Sequence, residues 1–147
     1  MSGDELAEMA RSWVGTPYRH QGSAPGIGLD CLGLVRALWR ANFCAEPPMV
    51  VPAYRPDWRD RISGAALEEA ARTLLGALAP EAAGPGDVVL FRFRRHLPAK
   101  HCGVLVAPGR FVHAQERVGV VEATLSAWWV RHAAGFFRFP AEPDLNH

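Results

Sequence analysis

The sequence is short of cysteine, of net charge and of long apolar runs, and each shortage excludes something. Only 3 cysteines occur in 147 residues, an odd number with no Cys-x-x-Cys spacing. That argues against a disulfide framework and reads as free thiols in a chain folded under reducing conditions. Lys and Arg total 16 against 15 Asp and Glu, leaving a formal charge of +1. So little charge speaks against a nucleic-acid partner or a membrane-surface role. No apolar run reaches the roughly 18 residues a bilayer span needs, so no membrane span is expected. The first residues, Met1-Ser2-Gly3-Asp4-Glu5-Leu6-Ala7-Glu8, are acidic where a secretory signal is basic and then apolar. The chain is therefore expected to be made in the cytoplasm and, if it acts outside, to be carried there. Internal repeats and low-complexity tracts are also missing.

What remains is an ordinary globular balance, 49% hydrophobic and 21% charged. It suits one domain over residues 1–147 that needs neither metal nor disulfide to fold. Ser2 and Glu5 have capping-box spacing before a helix over about residues 4–13. The stretch Gly15–Gly28 reads as an ordered loop, and Asp30 as the N-cap of a helix from Cys31 to Asn42. Residues 45–62 carry four prolines and read as a surface wrap. Ser63 is expected to cap a third helix with Leu67, Ala70, Ala71, Leu74, Leu75 and Leu78 facing inward. After Pro85-Gly86 the period turns extended, with strands expected at 87–93, 101–106, 109–114, 119–123 and 135–139. Helices followed by strands predict an α+β fold: N-terminal helices on one face of a C-terminal antiparallel meander of about five strands.

Cys31 is the most informative residue. A helix start favours negative charge, so a thiol there gains thiolate character, and the same N–H groups suit an oxyanion. Alternatively Cys31 is a small buried core residue, as free cysteines often are. Gly33 would let a substrate backbone approach. His101 and His113, twelve residues apart in neighbouring strands, come face to face if their hairpin is centred on Ala107. That register turns Cys102, Val104 and Val106 into the core. Paired imidazoles suit a base and its orienter. Tyr18 could line a cleft near the thiol, and His20 in the same loop could touch substrate. Zinc held by Cys31, His101 and His113 is a further reading. Arg92-Phe93-Arg94-Arg95-His96 reads as a solvated strand end, Trp128-Trp129 as a packing pair and Asp87 as a turn residue.

Five segments occur in order: Gly15-Thr16-Pro17-Tyr18, Asp30-Cys31-Leu32-Gly33-Leu34-Val35, Pro85-Gly86-Asp87-Val88-Val89-Leu90-Phe91, His101-Cys102-Gly103-Val104 and Phe111-Val112-His113-Ala114. Together they resemble the NlpC-type cysteine endopeptidases, whose papain-like fold cuts bacterial cell-wall peptides. The resemblance implies Cys31 as nucleophile, His101 as general base and His113 as its orienter, with no metal or cofactor. It places Tyr18 near the oxyanion site, Asp30 and Leu32 beside the substrate, and a peptidoglycan stem peptide in the cleft, cut between D-glutamate and diaminopimelate. Tyr18-Arg19-His20-Gln21-Gly22, Val51-Pro52-Ala53-Tyr54 and Pro98-Ala99-Lys100-His101 look closer to the tail-associated peptidases of phages and gene-transfer-agent particles, which implies tail or baseplate hub partners. Leu32 stands where many members have Ser, and the loop before Asp30 is one residue longer. A structural tail component that cuts little, and an acyltransferase using the same Cys–His chemistry, stay open beside the hydrolase.

Overall fold

The computed structural model describes residues 1–47 and 66–141. Most of the proline-rich stretch, Ser63 and the Val51-Pro52-Ala53-Tyr54 segment lie outside them. Helix α1 (Gly3–Ser12) carries the expected capping box: the Ser2 side chain accepts from the Glu5 backbone N–H, and the Glu5 carboxylate accepts from that of Ser2. Strands β1 (Ser23–Ala24) and β2 (Gly28–Leu29) form a small antiparallel hairpin inside the expected loop. Helix α2 (Cys31–Phe43) begins at Asp30 as expected and ends at Cys44, which adopts a left-handed conformation.

Helix α3 (Ala66–Leu74) stops sooner than its apolar spacing suggested. Gly76 follows, and Gly76–Leu78 is strand β3, so Leu78 belongs to the sheet and not to a helix face. Glycine is a poor helix residue, and here the chain exchanges helical bonds for pairing with another strand. A short 3-10 turn at Pro80–Ala82 leads to β4 (Val88–Phe91). Then come β5 (His101–Ala107), β6 (Arg110–Gln115), β7 (Gly119–Thr124), helix α4 (Ala127–Arg131) and β8 (Ala133–Arg138).

The expected α+β class is seen. Among the described residues the main sheet holds the five expected strands and a sixth, β3, in the order β3-β8-β4-β5-β6-β7. The last long strand therefore returns past the hairpins to lie between β3 and β4, so the sheet is not a simple meander. Leu6, Ala10, Leu34, Leu38 and Leu67 from the first three helices form the larger core with Val88, Leu90, Cys102, Val104 and Val112. Val89, Phe91, Leu105 and Phe111 point to the opposite face, which Trp129 of α4 covers. Period-two alternation along β4 and β5 creates both faces at once, each buried apolar side chain contributing roughly 1.5–3 kcal/mol. Among the described residues, no helix is long and apolar enough to cross a membrane.

The loop before α2 is pinned by contact at Gly33. A Cβ there would sit 1.7 Å from the Gly22 carbonyl oxygen, which also accepts the Asp30 N–H at 3.2 Å. What approaches Gly33 is thus the chain's own loop, which corrects the expectation of a substrate backbone there. Gly33→Ala must push residues 19–24 off the helix and should cost about 2 kcal/mol or more. A melting temperature several degrees lower is expected, and an unchanged melt would show the loop is not held there.

Candidate active site

Asp30 builds the start of α2 with both carboxylate oxygens. Oδ1 accepts from the Gly33 backbone N–H at 2.7 Å, and Oδ2 accepts from that of Gln21 at 2.7 Å. The first bond caps the helix, an interaction of about 1 kcal/mol, and the second anchors the preceding loop. Asp30 is 1% exposed. Asp30 thereby clamps the loop to the start of the helix.

Cys31 follows at the first position of the helix, 5% exposed. A hydrogen bond with the Cys102 thiol does most to favour its thiolate. Burial opposes that, the His101 imidazole supports it by hydrogen bond and by charge, and the Asp30 charge opposes it last. The balance holds the thiol well below its ordinary range. Cys102 shows the reverse. Contact with Cys31 and burial push its thiol up, so it stays neutral. Its Sγ lies 3.2 Å from the Cys31 carbonyl oxygen, so the single S–H is placed between the Cys31 sulfur and that oxygen. Cys102 lies in the core as strand alternation predicts, and the core-facing side of β5 there meets Cys31. No short-range signal carries that contact.

The two histidines meet differently from the expected register. Val104 pairs with Val112, Leu105 with Phe111 and Ala107 with Arg110, so Val106 is an extra residue on β5. The turn is Pro108-Gly109, not centred on Ala107. A two-residue turn alone would put the histidines on opposite faces, and the one-residue bulge restores them to the same face. They are diagonal neighbours, with Gly103 beside His113: a Cβ at Gly103 would lie 3.3 Å from the His113 Cβ and 2.8 Å from the Phe111 ring. The missing side chain lets the rings converge, with His101 Nε2 2.8 Å from His113 Nδ1 and the rings at 80°.

His113 is 3% exposed, and burial followed by the charge of His101 lowers its pKa to about 4. It is therefore neutral at pH 7. A neutral ring offering Nδ1 as acceptor takes the Nε2–H of His101, and this leaves Nδ1 of His101 for the thiol. That tautomer is assigned from the protonation balance. Trp129 packs against both imidazoles, at 6.0 Å from His101 and 5.3 Å from His113, while Phe91 stacks on His101 and Phe111 on His113. Trp129 is more than half of a packing pair: it walls the histidines. Its helix is five residues long, too short for apolar periodicity to reveal.

Tyr18 runs parallel to Leu29, two residues before Cys31, through an isolated bridge. The Arg19 N–H donates to the Leu29 carbonyl at 3.1 Å and the Leu29 N–H to the Pro17 carbonyl at 3.0 Å. Burial first, then the charges of Asp30, Cys31 and Glu116, raise the Tyr18 phenol well above its usual value. It stays protonated, a donor within the electrostatic reach of the thiol.

A helix-start cysteine whose thiolate is favoured by one of two paired imidazoles on neighbouring strands of this sheet invites comparison with known proteins. The sequence model of the NlpC/P60 family matches residues 15–138, most of the chain. The chain belongs to the NlpC/P60 family. Among the curated proteins it resembles is the gamma-DL-glutamyl hydrolase of Bacillus subtilis, 29% identical over 135 residues, covering 91% of this chain and 29% of that protein. Another is the murein DD-endopeptidase MepH of Escherichia coli, 29% identical over 135 residues and covering 90% and 44% respectively. The chain thus spans less than half the length of either. In fold it is similar to an NlpC/P60 family protein from Bacillus cereus, with a TM-score of 0.69 at 19% identity over 95% of this chain and 40% of that one. It is also similar to the NlpC/p60 domain of the peptidoglycan hydrolase SagA, at 0.66 and 18%, covering 95% of this chain and all of that domain (100%).

Within this NlpC/P60 site, Leu32 is 6% exposed and packs with Val35, Trp39 and Leu90 around an apolar cavity under α2. It packs in the larger core cluster. His20 is half-buried in the turn that Gln21 ties to Asp30. Asp87 does hold a turn, accepting the Gly84 N–H at 2.8 Å, and it also pairs with Arg138 at 2.9 Å from β8. Among the described residues, no group of three His, Cys, Asp or Glu side chains is arranged to hold a metal ion.

Proposed function

We propose that this NlpC/P60 chain hydrolyses an amide bond in peptidoglycan stem peptides through an acyl-enzyme on Cys31. The observation that supports it is the 2.8 Å contact between His101 and a buried, neutral His113, beside a thiol depressed first by Cys102 and then by the same His101. The Cys31 thiolate attacks the carbonyl carbon, and His101, carrying the thiol proton, gives it to the leaving amine. Water then attacks the thioester with His101 as base, releasing the carboxylic acid and restoring the thiol. His113 holds the imidazole through both half-reactions. Backbone N–H groups at the start of α2 and the protonated Tyr18 phenol are suited to the oxyanion.

The bond adjoining D-glutamate and diaminopimelate is the proposed target, and a relative named gamma-DL-glutamyl hydrolase supports it. Another relative is named a murein DD-endopeptidase, so the bond is to be tested directly. Sacculi digested with the protein should yield fragments that end, by mass spectrometry, in a free D-glutamate γ-carboxyl. Products opened at a D,D bond, with that γ-linkage intact, would discard the glutamyl assignment and keep the hydrolase. The segments around Tyr18 and His101 further support delivery to the wall on a phage-tail-like particle, docked to tail or baseplate hub proteins.

A further inference from the structure

The basic cluster after β4 has no place in the catalytic geometry. From Val88 to Ala114 the chain carries five cations, Arg92, Arg94, Arg95, Lys100 and Arg110, and no carboxylate. In a protein of net charge +1, that is a strong local asymmetry. The fold concentrates it further. The loop after β4 lies against the end of α4, and a groove of about 340 Å³ between them is lined by Arg92, Phe93, Arg95, Arg131, His132 and Ala133. The Arg92 N–H donates to the His132 carbonyl at 2.8 Å, which fixes one wall to the other.

The three arginines are not equivalent. Arg92 is partly buried and paired with Glu68 at 3.0 Å, and that carboxylate also accepts the Ala99 N–H at 2.7 Å. It shapes the floor. Arg95 and Arg131 are exposed and form no ion pair among the described residues. Arg131 also stands in the last turn of its helix, beside Trp128, whose ring stacks on His132 at 4.1 Å. Two unpaired guanidinium forks over an aromatic wall suit planar anions, carboxylates above all. Phe93 joins the groove to the catalytic pair: it lines the groove, stacks on His101 at 6.3 Å and carries the Lys100 ammonium 5.3 Å above its ring. The groove is therefore one ring away from the imidazole.

We propose that this groove binds free carboxylates of the peptide polymer whose amide is cut at Cys31, with Arg95 and Arg131 as the binding forks. The assignment rests on the cell-wall reading above for the identity of the polymer, and on charge and placement for the site. It gives the enzyme a second hold on a polyanionic substrate, so that binding strength and salt sensitivity come from a surface that does no chemistry.

Binding without turnover separates the two claims. Cosedimentation with intact sacculi is measured for Cys31→Ala and for the same chain also carrying Arg95→Ala and Arg131→Ala, at low and high NaCl. A parallel set uses sacculi whose carboxyls have been amidated with a carbodiimide and an amine. The two added substitutions should weaken binding about tenfold at low salt, and less at high salt because exposed charges are screened. Amidation should bring the parent down to the level of the variant while leaving the variant nearly unchanged. Equal affinity of the two chains, or no measurable binding by the parent, overturns the proposal. So does a parent that loses nothing on amidation, a result pointing to a phosphate polymer instead. Both arginines are exposed, so matching melting curves are expected and exclude a folding effect. If the groove behaves as stated but the wild-type protein releases no fragments, the hydrolase reading fails and the groove stands.

Discussion

Cys31→Ala should end the release of soluble fragments from purified sacculi, with a loss of about 10⁴-fold or more. The reaction needs a nucleophile that is ionised at neutral pH, and the structure lowers only one thiol for that purpose among those it buries. Cys102 is pushed the other way, and Cys44 lies exposed beyond the end of α2. Cys31→Ser should fall nearly as far, because a hydroxyl at the same place stays protonated. Iodoacetamide gives an independent reading: at pH 6, Cys31 should be carboxamidomethylated faster than Cys44 despite its burial. Equal hydrolysis by wild type and Cys31→Ala would leave a folded NlpC/P60 domain without the proposed chemistry, as the structural-component reading expects.

His101→Ala should lower kcat/KM by about 10²–10⁴-fold, the usual contribution of a positioned acid–base group. It should also move the pH midpoint of Cys31 alkylation upward, since a hydrogen bond and a positive charge that favour the thiolate are lost. A purely structural histidine would not shift that midpoint, so the pair of measurements separates positioning of the proton from packing. The acid limb has a second component. His113 accepts from His101 only while neutral, and its pKa of about 4 keeps it so across the neutral range. Activity should survive to mildly acidic pH, fall first as the Cys31 thiolate takes up a proton near pH 5, and fall further as His113 protonates and can no longer accept from His101. Unaltered activity in His101→Ala at pH 7 would remove this histidine from the mechanism.

The caps of α1 and α2 were readable because capping is a short-range rule: Ser2 with Glu5 and Asp30 with Gly33 meet across three residues whatever the rest of the chain does. The same locality made Cys31 visible as a helix-start thiol, and alternation along β5 correctly sent Cys102 and Val104 inward. The histidine pair was readable only in part. Period two places both rings on one face or on opposite faces, and the choice turned on a single bulge at Val106 that no residue type announces.

Leu78 shows a different limit. Apolar spacing counts buried positions without knowing what buries them, so a strand residue paired with β8 reads as the end of a helix. Local chemistry settled which segments form, where two helices begin and which thiol gains charge, because those follow from bonds within a few residues. Only the tertiary structure set β8 beside β4, Cys102 against Cys31, Trp129 against both imidazoles and the arginines around one groove. Those contacts join segments far apart in the chain, and their energies exist only once the sheet has closed.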